Sequence, residues 1–296
     1  MENKTKYFKK ISIIFYIIIL SSLTFALNNN ISVNRPVYIA PYIGDIDGGT
    51  TAERFTFYNK LANFHDGNKI KVGISLYPGI MSDNLEYKKS ILLMYNSPYI
   101  ELIQKGYKGN PIEYRMNQLT YKEQRNLIKR GQNAFIDKMK KYGVTNPKIP
   151  KTYNQLSGRI NEDTIRALKS LGFNSYFDVY YDENLYPLDS TKEIDIMQYG
   201  VSFTKTGHAG GEEEFDNEND VIRKINNFYR SDLTVMKING KQVIPMWVHQ
   251  QDFEDVKNHG VYDKKKWEIY SNTYMRLKND PNVTFITASE VHDIRH

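Results

Sequence analysis

Val243-Ile244-Pro245-Met246-Trp247-Val248-His249-Gln250-Gln251-Asp252-Phe253 is an apolar run that ends in a lone histidine and then turns polar. Its length and its polar boundary suit a buried strand over Gln242 to Val248. His249 then stands at the strand's exit.

Outward from this stretch the chain alternates between two periods. Asn161 to Leu171 reads as a helix, with Asn161 as N-cap, Glu162 and Asp163 in the first turn, and Gly172 as the stop. Thr120-Tyr121-Lys122-Glu123 is a capping-box pattern. It heads a segment where Leu127, Ile128, Phe135, Ile136 and Met139 share one face and Gly143 ends the helix. Lys69 to Tyr77 carries Ile70, Val72, Ile74 and Leu76 at period two, the mark of a strand, and Pro78-Gly79 breaks it. Pro36 to Ile43, Phe173 to Tyr180, Lys192 to Met197 and Val283 to Ile286 also read as strands. Thr51 to Phe64, Asn217 to Tyr229 and Lys264 to Lys278 read as helices.

Strands alternating with helices of this length imply parallel pairing and βαβ connections. The expected fold class is α/β, a (β/α) barrel of mainly parallel strands, irregular or incomplete. Functional residues of such a barrel sit where strands exit into the following loops. Asp45 and Asp47 follow the first strand, Tyr77-Pro78 the second, and His249 a late one, so three separate segments point to one rim.

The chain has no cysteine, which excludes disulfides, thiol nucleophiles and thiolate metal sites. Lys4, Lys6, Lys9 and Lys10 precede an almost wholly apolar run from Ile11 to Leu27, with small residues near Thr24-Phe25-Ala26. Residues 1–26 therefore read as a secretory signal peptide cleaved after Ala26, the other reading being an uncleaved membrane anchor. Its removal takes four lysines and Glu2, so the formal net charge of +6 falls to +3. That balance, without a clustered basic patch, gives no case for nucleic acid. Residues 27–296 form one domain, and the expected localisation is secreted or cell surface. Glu212-Glu213-Glu214 with Asp216, Glu218 and Asp220 reads as a surface loop, and Lys264-Lys265-Lys266 as a solvated face.

Taken together, Val243 to Phe253 and Asn161 to Phe173 resemble the closing part of a polysaccharide deacetylase, the family with the NodB homology domain. The resemblance runs from about Val37 to Asp293. It implies hydrolysis of N-acetyl groups on a glycan, with a divalent metal, zinc or similar, held by one aspartate and two histidines. In that family a second aspartate acts as base on the metal-bound water and a late histidine protonates the leaving amine.

Each motif can be set against the chain. In Gly44-Asp45-Ile46-Asp47-Gly48-Gly49, Asp47 matches the metal aspartate, while Ile46 stands where the base belongs. Asp45 is one residue early, yet on an extended segment it would share a face with Asp47. The lead Glu101 to Asn110 runs into Pro111 to Asn117, where Ile112 and Met116 occupy the positions of the two metal histidines. Both are expected to face apolar neighbours. Glu113 and Asn117 keep the four-residue spacing, shifted by one.

Pro147 to Asn154 stands for the third motif, and Tyr153 and Trp247 are the candidate substrate-binding residues. His249 with Gln250-Gln251-Asp252-Phe253 resembles the family's late histidine motif. Asp45 and His249 are thus the candidate catalytic pair and Asp47 the candidate metal ligand. His208, in a Gly-rich loop, is a further histidine near the rim or an exposed loop residue. Two other readings stay open: an inactive glycan-binding or structural protein on the same barrel, and a glycoside hydrolase using carboxylates such as Asp45, Asp47 or Glu113.

Overall fold

A computed structural model describes residues 31–46, 51–154, 160–178, 194–198, 200–204, 215–228, 236–255 and 261–296. Residues 1–26, Asp47 and His208 lie outside the described residues.

The sheet is built around β1 (Val37–Ile46) and β9 (Lys241–His249), parallel and in register from Val37 opposite Gln242 to Gly44 opposite His249. On the other side of β1, β10 (Val283–Phe285) pairs with Val37 to Ile39, and β2 (Val72–Leu76) pairs with Tyr42 to Ile46. Beyond β2 come β3 (Ile100–Lys105), β4 (Thr152–Asn154), β5 (Ser175–Asp178) and β6 (Asp195–Gln198), all parallel. β7 (Val201–Ser202) borders β9 in parallel, and the short β8 (Lys237–Ile238) joins it antiparallel. The order β6-β5-β4-β3-β2-β1-β9-β7 is that of an incomplete, mainly parallel (β/α) barrel, as expected.

Seven helices are described: α1 (Ala52–Asn68), α2 (Leu85–Asn96), α3 (Tyr121–Lys141), α4 (Glu162–Ser170), α5 (Glu218–Phe228), α6 (Lys264–Lys278) and α7 (Ala288–Arg295). The capping boxes at Thr120 and Asn161 form, each satisfying backbone N–H groups that a helix start leaves orphaned. α2 was not foreseen. Its buried residues Tyr87, Ser90, Ile91 and Met94 have helical spacing, but a serine on the buried face dilutes the apolar stripe.

Period two along the strands sorts side chains into two layers. Val37, Ile39, Ile43, Ile74, Leu76, Leu102, Ile244, Met246 and Val248 pack beneath the helices. Ala40, Tyr42, Ile103, Phe177, Met197, Val243 and Trp247 pack on the inner face with Ala288 and Val291 of α7. α7 lies at the strands' N-terminal ends, where the Ser175 hydroxyl donates to the carbonyl of Ala288. The opposite, C-terminal end carries Asp45, Tyr77, Lys105 and His249.

Two surface readings change in the fold. Asp216 is buried and ion-paired with Lys224 of α5, so it is not part of a solvated acidic loop. Lys266 is buried too, its ammonium donating to the carbonyl of Glu254 at 2.9 Å, because the first turn of α6 lies against the chain that leaves β9.

His65 of α1 is fully buried, with Nδ1 at 3.0 Å from the carbonyl of Ile70 and Nε2 at 2.7 Å from the hydroxyl of Tyr270. A carbonyl only accepts, so Nδ1 carries the hydrogen and Nε2 takes the Tyr270 proton. Burial lowers the imidazole pKa to about 4, against the opposing effect of the Ile70 hydrogen bond. The unfolded chain binds that proton near the ordinary value of 6.5, so the stability His65 contributes is complete above 6.5 and is lost as pH falls to about 4. The loss amounts to about 3 kcal/mol. Urea midpoints measured across this interval should fall steeply for the native chain and less steeply for His65→Gln; equal slopes would rule the assignment out.

Candidate active site

The end of β1 sets the site. Its register with β2 shifts between Ile43 and Ile46, and Asp45 adopts φ 66°, in the left-handed region. Alternation places Tyr42 and Gly44 inward, so an extended Asp45 would face the helices; the left-handed residue turns it to the inner side instead. Aspartate is among the few side chains that adopt this region readily, at a cost of about 1–2 kcal/mol. The expectation that Asp45 and Asp47 share a face rested on an extended backbone, and at Asp45 the backbone is not extended. Gly44 is required by close approach: a Cβ there would lie 2.8 Å from His249 Nδ1.

The ends of three other strands converge on the Asp45 carboxylate. Oδ1 accepts from the Tyr77 hydroxyl at 2.8 Å and from the Lys105 ammonium, while Oδ2 accepts from His249 Nδ1 at 2.5 Å. The Asp45 backbone N–H donates to Ser75 Oγ at 3.2 Å, and Ser75 Oγ also accepts the Tyr42 hydroxyl at 2.8 Å. On the other flank the His249 backbone N–H donates to Asp252 Oδ2 at 2.7 Å, within the short turn Gln250–Phe253. Tyr58 holds that turn through Gln250 Oε1 at 2.6 Å.

Charge follows from these contacts. Burial alone would raise the Asp45 pKa, but the Lys105 charge, the His249 hydrogen bond and the charge of His249 together outweigh it and hold the carboxyl well below the usual range. Burial, then the negative charge of Asp45, pushes the Tyr77 hydroxyl far above its ordinary value, so Tyr77 stays a donor. An ionised carboxylate has no proton to give, so His249 Nδ1 carries the hydrogen that Asp45 Oδ2 accepts and Nε2 is the ring atom turned away from that pair. Nε2 is buried and makes no hydrogen bond among the described residues. An unsatisfied buried polar atom costs about 1–3 kcal/mol, which a reacting group can recover.

The other expected residues separate. Trp247 lies on the inner face, its ring perpendicular to His249 at 5.1 Å between centroids. Tyr153 lies on the outer face, fully buried, against Phe173 and Tyr176 beneath the helices. It therefore does not line the rim in this structure, because the inward residues of β4 are its neighbours Thr152 and Asn154. Asn154 is buried, with Nδ2 donating to the carbonyl of Phe177 at 2.9 Å and Oδ1 without a partner among the described residues. Asn154 and Lys105 were the residues overlooked. Each is the last residue of its strand and lies on the inward phase, Lys105 two residues after Ile103 and Asn154 two after Thr152, and that phase was the available signal.

The donor set at this rim does not fit an aspartate–two-histidine metal site among the described residues. Met116 packs with Ile128 and Tyr153 as expected, but Ile112 is 58% exposed rather than set among apolar neighbours. Glu113 is buried and bound to the backbone N–H groups of Tyr107, Lys108 and Gly109, so it serves as the anchor of that loop. Both Asp45 oxygens are engaged. A group of three candidate ligands does occur elsewhere, in Asp195, His292 and His296 at the N-terminal end of the sheet.

No family model matches the sequence and no curated protein matches it. Solved structures match the fold. A protein assigned as a polysaccharide deacetylase from Mycobacterium smegmatis superposes with a TM-score of 0.57 at 11% identity, over 88% of this chain and 91% of that one. A peptidoglycan N-acetylglucosamine deacetylase gives 0.50 at 10% identity, over 88% and 90%. A 4-alpha-glucanotransferase from Thermococcus litoralis gives 0.51 at 10% identity over 87% of this chain, which spans only 40% of that enzyme. At such identities the likeness is one of architecture: the chain has the incomplete parallel barrel seen in polysaccharide deacetylases and in a glucan-acting enzyme.

Proposed function

We propose that this chain is an exported, deacetylase-like hydrolase that acts on the N-acetyl groups of a glycan, with His249 as its acid–base residue. The observation that carries this reading is the Asp45–His249 pair at the strands' C-terminal ends, with Nε2 left without a hydrogen-bond partner among the described residues. In hydrolysis, Nε2 takes a proton from the attacking water and returns it to the amine nitrogen as the carbon–nitrogen bond breaks, leaving acetate and a free amine. Asp45 orients the ring and stabilises its protonated form. Lys105 and Tyr77 keep Asp45 ionised and in place. Trp247 walls one side of the imidazole.

A second reading, a glycan-binding protein without turnover, is favoured by one observation, the poor fit of the described rim residues to a polarising metal. One experiment separates the two: amine release from N-acetylated oligosaccharides by the purified chain, with and without chelator. Slow release that chelator leaves unchanged supports the hydrolase, and binding without release supports the second reading. Release abolished by chelator would mean that other residues, Asp47 among them, supply a metal. Export is part of the same proposal. The recovered protein should begin at Leu27, whereas a membrane-bound chain retaining Met1 would establish an anchor.

A further inference from the structure

Asp195 opens β6, the outermost strand beyond β5, and is 2% exposed. Its Oδ2 lies 2.9 Å from His292 Nδ1 and 3.6 Å from His296 Nε2, and its Oδ1 is ion-paired with Arg295 Nη1. The two histidines are four residues apart near the end of α7, which brings their rings to one side with centroids 4.5 Å apart. All three ligand atoms lie within 4.8 Å of one another. The cluster is remote from the rim. β10, which leads into α7, pairs with Val37 to Ile39, and Asp45 lies six residues farther along β1, roughly 20 Å at the usual strand rise.

We infer that Asp195, His292 and His296 form a binding site for a borderline divalent cation such as zinc, separate from the candidate active site. Two imidazole nitrogens and one carboxylate oxygen are a donor set that suits zinc. Tetrahedral bonds of about 2.0–2.1 Å place ligand atoms roughly 3.4 Å apart, and the two separations from Oδ2 lie on either side of that value. Water completes the fourth position. Arg295 occupies Oδ1 and leaves Oδ2 to the ion, while its positive charge opposes binding. The ion links an outer strand to the helix that closes the floor of the barrel, so its effect is on stability. The inference does not depend on any activity at His249.

Zinc chloride added to the full mature chain, followed by calorimetry and thermal unfolding, tests this. One zinc should bind per chain and raise the unfolding midpoint by mass action. His292→Asn with His296→Asn should weaken binding by more than the roughly 10- to 100-fold typical of an outer-shell partner. His249→Ala should leave zinc affinity unchanged, and Arg295→Ala should tighten it by removing the competing charge. Because Arg295→Ala is a gain, the test holds even if the double variant folds poorly. Absence of binding, binding indifferent to His292 and His296, or binding lost in His249→Ala would each overturn the site.

Discussion

His249→Ala should lower turnover on an N-acetylated oligosaccharide by about 10²–10⁴-fold, the range for a lost general acid or base. The loss should fall on kcat rather than KM, because the imidazole acts on protons in flight while the sugar is held by other groups. The fold should survive. His249 contributes a buried ring whose Nε2 has no hydrogen-bond partner among the described residues, and without it Asp45 keeps Lys105 and Tyr77 as partners. Circular dichroism and a thermal midpoint measured beside the assay separate chemistry from unfolding. Turnover unchanged in a folded His249→Ala chain would remove His249 from the mechanism and leave the rim without an acid–base residue.

Asp45→Asn should be costly in a different way. It removes the negative charge from a network whose Lys105 side chain is only 5% exposed, leaving a buried ammonium without its counter-charge. Breaking one side of such a pair destabilises by about 3–5 kcal/mol, whereas replacing both sides by uncharged groups often does not. The double variant Asp45→Asn with Lys105→Met should therefore recover much of the stability lost by Asp45→Asn, read as the denaturant midpoint. A single variant as stable as the native chain would show that Lys105 is solvated and that the pair does not organise the rim. The acid response has a defined sign. A carboxyl with a depressed folded pKa contributes stability above the ordinary carboxylate value and loses it as pH falls toward the folded one. The Asp45 contribution thus persists through the interval in which His65 titrates.

Much of this is legible in the sequence. The strand from Lys241 to His249, the capped helices and the strand alternation are local features, carried by period, caps and stops within a dozen residues. Asp45, Tyr77 and His249 were legible as one rim because a parallel sheet places every strand exit at the same end. β4 was harder, since three residues are too few to show a period. The outward placing of Tyr153 depends on which phase of that short strand faces in.

Local chemistry therefore decided the class of fold, most of its strands and helices, and the end of the sheet at which the candidate site lies. Long-range packing decided the chemistry. One left-handed residue turned Asp45 from the helix side to the inner side, and the partners that hold it come from positions 77, 105 and 249. Asp195 meets His292 and His296 in the same way, across about a hundred residues of chain that only the closing of α7 over the strand ends brings together. Hydrogen bonds and ion pairs between distant segments leave no periodic trace in the residues between them, which is why period and capping could locate the rim and not its wiring.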